Sequence, residues 1–328
     1  MTGKDIKKFW GAFLLTLLLA ELWAARFPVS PPRLMREILL EHQLGKLNSV
    51  DQESIVLVGD SSLGNGVDAV RLSQLLERPV FNLALTGTES FAGDYLLLET
   101  LFGQGVRPRL VVSMHSTDTL RREIAPDTVS RLQGELAKQD GLQPKTREDV
   151  PHLEELTKSL FSHLNLVRNG PGYRNQFFQP GHGFKLLSFE DQALAQTARA
   201  ERELSNRDYL PQADKPWKPS QGELIKFRVQ ATQRQWLARL DALCKEHQVP
   251  LMLVGGPLYE GFDNAEYRAD YLEFLRGQPV PPLTAELFTF PLERLGDEKD
   301  HLDSVGRQEL TVRLASDILK KTHGVEQP

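Results

Sequence analysis

A chain of 328 residues is long enough to bury one large core or two modest ones. Charged residues make up 25% of it and hydrophobic residues 40%, with a formal net charge of −5; this mild acidity, without a long basic run, argues against nucleic acid as the main partner. The lone cysteine, Cys244, excludes a disulfide framework and a cysteine-rich metal site, and its helical context before Val249 marks it as structural.

The first expected element is a membrane anchor over residues 1–28. Lys4, Lys7 and Lys8 precede an apolar run over 9–20 that continues past Glu21 to Ala25, near the short end of the roughly 17–25 residues a spanning helix needs. Trp10 and Trp23 stand near its two ends, where amphipathic rings favour the interface. The run is apolar all round, unlike an amphipathic surface helix, and no small-x-small cleavage site stands beside it. An uncleaved anchor is therefore expected. Arg26, Arg33 and Arg36 follow the run, but the leading lysines favour an internal amino terminus, which places the bulk of the chain outside.

A connecting segment over 29–50 opens with Ser30-Pro31-Pro32, a cap with proline at the first helical position, and predicts a helix to about Gly45. A strand follows over 54–59, then a helix capped by Asp68 to Leu76, a strand over 80–85, and a helix over 90–102. A third strand is predicted over 109–114, whose Leu110-Val111-Val112 is apolar throughout, as in a sheet covered on both faces. Between Asp118 and Lys218 the pattern dissolves, leaving helical pieces near 150–166 and 189–203. Residues 119–218 are read as an insertion, a lid or substrate platform; its Tyr173, Phe177 and Phe178 fit packing better than sugar stacking. Regularity returns with a helix over 222–247, a strand over 249–255, a helix over 264–275, a strand over 287–290 and a terminal helix from Ser304. Strands alternating with helices predict a three-layer α/β domain over 51–328, built on a parallel sheet with a long insertion after its third strand.

The first strand stops at Gly59-Asp60-Ser61, which delivers a hydroxyl to the carboxyl edge of the sheet, where open α/β folds place ligands. Near the other end stand Asp300-His301-Leu302 and Gly306. A serine is a weak nucleophile unless a base within about 2.6–3.2 Å takes its proton. His301 can be that base, provided an acceptor fixes its other ring nitrogen. The N–H groups of Ser61 and Gly87 are candidates to hold the developing oxyanion, with Asn82 bracing the turn. The plainer alternatives are a capped strand-to-helix turn at Ser61 and a helix-capping His301; His115 reads as structural. Gly64 and Gly66 lack the lysine and spacing of a phosphate loop, and His163, His182 and His247 lack metal-ligand spacing, so neither cofactor nor metal is expected.

Four segments together resemble the SGNH/GDSL hydrolase superfamily. Gly59-Asp60-Ser61-Ser62 is similar to its first block, Phe81–Gly87 to its second, Val111–Asp118 to its third, and Asp300-His301-Leu302 with Gly306 to its last. The resemblance implies a flavodoxin-like fold, Ser61 as nucleophile, His301 as base, and an oxyanion hole from Ser61, Gly87 and the third block. That block's asparagine is replaced by Thr117. The aspartate usual three residues before the histidine is replaced by Glu298, with Asp297 and Asp300 close by; Glu298 is the first choice to orient His301 and Asp300 the second. Membrane-anchored members of this layout resemble the partners of membrane-bound O-acyltransferases that modify alginate or teichoic acid. The resemblance then implies a single-pass protein of a bacterial inner membrane whose outer domain transfers an acyl group, acetyl by preference, to an envelope polysaccharide or another acceptor. A carbohydrate or lipid esterase is the alternative. A non-catalytic envelope protein that binds a glycan or an acyltransferase is the other.

Overall fold

The computed structural model describes residues 9–13, 15–16, 18–19, 35–137, 217–220 and 225–323. The chain divides into two compact units, residues 1–34 with 148–199 and residues 35–147 with 200–328. In the first unit the described residues are helical, with Phe9, Trp10, Phe13, Leu15, Leu18 and Leu19 exposed. No helix among the described residues is long and apolar enough to cross a membrane. Most of the expected anchor lies outside those residues, as do the helical pieces near 150–166 and 189–203 and the aromatics Tyr173, Phe177 and Phe178.

In the second unit the chain runs α1 (Met35–Leu47), β1 (Ile55–Gly59), α2 (Ser61–Gly66), α3 (Ala69–Leu76), β2 (Val80–Asn82), α4 (Ser90–Gly103) and β3 (Leu110–His115). It continues through α5 (Thr117–Leu120), α6 (Pro126–Ala137), α7 (Ala231–Glu246), β4 (Leu251–Gly255), β5 (Leu258–Tyr259), α8 (Ala265–Arg276), β6 (Thr289–Phe290) and α9 (Ser304–His323). Asp68 starts α3 as the sequence predicts, accepting from Arg71 N at 3.0 Å, and Asn264 caps α8 in the same way, accepting from Tyr267 N at 2.9 Å.

The main sheet is α/β in the expected sense, with order β2-β1-β3-β4 and every pairing parallel. Its strands are buried on both faces, so their side chains feed alternate layers. Val56 and Val58 join the cluster that holds Leu97, Leu101, Leu132, Leu237 and Leu240, whereas Ile55 and Leu57 join the one that holds Leu63, Leu72, Leu310 and Leu314. Winding reverses between β1 and β3, and their carboxyl ends open there together.

Three expectations shift in detail. The long helix begins at Ala231 rather than near Gly222, because Ile225-Lys226-Phe227-Arg228-Val229 alternates buried and exposed with period two, and Phe227 packs on Tyr267, Tyr271 and Phe274. The segment expected as the last strand pairs with β5 in a separate two-stranded sheet. Beside β4 lies instead the stretch around Pro282, which bridges Leu253; proline hides such an edge from a pattern reading. Within the expected insertion, α6 buries Val129, Leu132 and Leu136 against the core.

Gly59 closes β1 against β3 with no room for a side chain: a Cβ there would lie 1.9 Å from the Met114 carbonyl oxygen. The obstacle is backbone, so it cannot rotate away. Gly59→Ala should destabilise the domain by roughly 3 kcal/mol or more, read as a fall in the urea midpoint at constant slope.

Candidate active site

Asp60 organises the end of β1. It is fully buried at the N-cap of α2, where Oδ1 accepts from Ser62 N at 2.9 Å and from Ser62 Oγ at 2.5 Å. Its Oδ2 accepts from Ser116 N at 2.9 Å, so one carboxylate ties the ends of β1 and β3 together. Ser62 is thereby consumed. Ser61 remains, partly exposed at the first turn of α2, its hydroxyl making no hydrogen bond among the described residues and its N–H lacking an intrahelical acceptor.

The turn after β2 carries Gly87. Glu89, almost fully buried, braces it by accepting from Thr86 N at 3.1 Å and from the Thr86 hydroxyl, and is itself held by Arg131 at 2.6 Å. A Cβ on Gly87 would lie 2.6 Å from Thr119 Oγ1, so glycine permits the close approach of this turn to α5. Asn82 does brace: its amide reaches the Leu63 and Val67 carbonyls at 3.4 Å, and its oxygen accepts from Ala84 N at 3.1 Å. Thr117 sits at the start of α5 with its hydroxyl paired to the Tyr267 hydroxyl. Only when Tyr267 donates does Thr117 keep its proton for a substrate oxygen.

The loop before α9 reaches the same sheet edge. Gly296 N donates to the His301 carbonyl at 2.7 Å, which closes a tight loop and brings position 297 opposite position 301. His301 Nδ1 then donates to Asp297 Oδ1 at 2.8 Å. Among the three neighbouring acids it is therefore Asp297, not Glu298 or Asp300, that orients the ring. His301 is 1% exposed, and its Nε2 is buried without a hydrogen-bond partner among the described residues. Burial alone would lower its pKa, but the Asp297 hydrogen bond and the charges of Asp300, Asp297 and Glu298 raise it. Lys299 pins the loop to α5, just past the end of β3, by donating to Asp118 at 2.9 Å.

Asp300 is buried close to Ser116 and to the Asp60 carboxylate, so the histidine loop lies at the same edge as the residue preceding Ser61. Burial first, then the charges of Asp60 and Glu298, push its carboxyl up to about 6.

His115 occupies the centre of a buried ion cluster that sequence reading did not assemble. Its Nε2 is 2.8 Å from Asp94 Oδ2 and its Nδ1 is 3.7 Å from Asp60 Oδ2; Ser113 Oγ also donates to Asp94, at 2.9 Å, and Phe91 packs edge-on 4.4 Å from the ring. Burial alone would lower the His115 pKa, but the Asp94 and Asp60 carboxylates raise it to about 10. The same contacts, with the Ser62 hydroxyl, hold Asp60 well below the usual carboxylate range despite its burial. A protonated imidazole between two carboxylates has no lone pair to offer, so His115 is a positioning group rather than a base. The missed signal is Asp94, an acid inside the otherwise apolar Phe91–Leu98 stretch of α4.

Cys244 is buried and its thiol is pushed up to about 12 by burial and by Asp241 and Asp94, as befits a packing residue. No protein-family model matches this chain, and no curated protein matches it.

Proposed function

We propose that the chain handles esters through Ser61 and His301 as an SGNH-type protein, and that its reaction is O-acyl transfer to an extracytoplasmic glycan. The observation that carries the chemistry is the unpaired Nε2 of His301, oriented through Nδ1 by Asp297 at the sheet edge where Ser61 offers an unengaged hydroxyl. Ser61 Oγ attacks the ester carbonyl as Nε2 takes its proton. The N–H groups of Ser61 and Gly87 receive the oxyanion, and collapse expels the alcohol with the proton from Nε2. A glycan hydroxyl then takes the acyl group from Ser61, with His301 again as base. The parallel order β2-β1-β3-β4 supports the flavodoxin-like three-layer reading. The expected anchor over 1–28 and the insertion over 119–218 would set this chemistry at an envelope, beside a membrane-bound O-acyltransferase that supplies the acyl group.

The pairing of the Thr117 hydroxyl with Tyr267 favours a second reading, in which the site binds a glycan or an acyltransferase without turnover. The two part in one experiment. Incubated with a chromogenic acetyl ester, the full chain should release alcohol and gain one acetyl group by intact mass, and Ser61→Ala should do neither. Equal background in both proteins would sink the ester chemistry and leave the binding reading.

A further inference from the structure

We infer that Glu298, Asp300 and His301 form a site for a divalent transition-metal cation, of which Zn²⁺ is the best fit. One candidate ligand atom from each of the three lies within 4.8 Å of the others. A cluster of acids alone would mean little. Here, however, two of the groups carry buried polar atoms with no hydrogen-bond partner, Asp300 Oδ1 and His301 Nε2, on residues that are 6% and 1% exposed. With Nδ1 donating to Asp297 at 2.8 Å, the ring nitrogen left for a cation is Nε2. A histidine whose far nitrogen is held by a carboxylate is the usual setting of a metal-binding imidazole, because that bond fixes the tautomer and raises the basicity of the ligating nitrogen.

The donor set selects the ion. One imidazole nitrogen with two carboxylate oxygens suits zinc or manganese better than magnesium or calcium, which prefer oxygen alone. Three protein ligands leave the fourth position of a tetrahedral Zn²⁺ open. Tetrahedral bonds of about 2.0–2.1 Å would set the donors about 3.4 Å apart, so the set must draw inward, and the partly exposed Glu298 is the arm free to do so. Lys299, the cation inside the segment, is engaged by Asp118 at 2.9 Å. A bound cation would take the lone pair that His301 needs as a base, so Zn²⁺ should silence ester turnover and its removal should restore it.

The site itself stands apart from the ester reading, and so does its test. The full chain, stripped with a chelator, is titrated with Co²⁺ as a coloured stand-in and then with Zn²⁺ in competition. The wild type should take up one equivalent and show the visible absorption of a low-coordinate nitrogen–oxygen site. Asp300→Asn, nearly isosteric, and Glu298→Gln, at a partly exposed position, should each weaken Zn²⁺ binding by at least about tenfold, with far-ultraviolet circular dichroism unchanged. No saturable uptake would overturn the inference, and so would uptake equal in the wild type and both variants. A chain that binds Zn²⁺ through these residues yet turns over no metal-free ester keeps this site and loses the ester reading; the converse result does the reverse.

Discussion

Asp297→Asn should lower ester turnover by about 10⁴-fold while leaving the fold intact. Asparagine matches the aspartate in shape, so the loop closed by Gly296 and His301 keeps its geometry. What changes is the partner of Nδ1. The carboxylate can only accept, and it therefore forces the proton onto Nδ1 and leaves Nε2 bare. An amide can turn its NH₂ towards the ring, which moves the lone pair to the wrong nitrogen. A pH profile supplies a second readout. His301 must be neutral to act as a base, and its pKa is raised from 6.5; wild-type kcat/KM should therefore climb through a point above 6.5 as pH rises. Asp297 supplies the leading upward influence on that pKa, so the residual activity of the variant should climb at lower pH. An Asp297→Asn protein with wild-type kcat would return the orienting role to Glu298, the acid that the family spacing favours.

That contrast marks where the sequence stops being legible. The strands of the sheet could be read because Ile55–Gly59 and the Leu110-Val111-Val112 stretch of β3 are buried on both faces and carry no polar side chain. Ser61 could be placed because it directly follows the carboxyl end of β1, whereas β6, which precedes the His301 loop, lies in the separate sheet, so topology alone does not bring that loop to the same edge. The orienting acid could not, since positions 297, 298 and 300 are equally acidic and only the Gly296–His301 hydrogen bond decides which one faces Nδ1. The start of α7 differs from the expected one because 225–229 is apolar enough to pass for the helix's first turns, whereas its alternation of apolar and charged residues belongs to an extended segment that lays Phe227 on the aromatic face of α8. His115 looked structural from its strand-end position. That it is charged depends on Asp94, 21 residues away on a different element, and no local pattern joins them.

Asp94→Ala should be the most destabilising single change at this end of the sheet, about 3–5 kcal/mol, a large part of the roughly 5–15 kcal/mol that holds a domain folded. Removing one member of a buried ion pair strands the other. His115 would keep only Asp60, 3.7 Å away, and Ser113 Oγ would lose its acceptor. The sign of the pH dependence separates this account from a simple cavity. His115 has a folded pKa of about 10 against an ordinary 6.5, so its stabilising contribution is full below 6.5 and is lost as pH rises towards 10. Asp60 is shifted the opposite way from 3.8; its contribution is present above 3.8 and is lost as pH falls through its lower folded value. The cluster therefore stabilises most between about pH 4 and 6.5. Urea unfolding of the wild type and Asp94→Ala at pH 6 and pH 10 measures the difference directly. A gap that narrows markedly at pH 10, leaving only what the Ser113 hydrogen bond and packing contribute, means that most of the lost energy was charge held between Asp94 and Asp60. An equal gap at both values would mean that His115 is neutral and that Asp94 contributes only packing. The turn carrying Ser61 would then be held by Asp60 alone, through its bonds to Ser62 and Ser116.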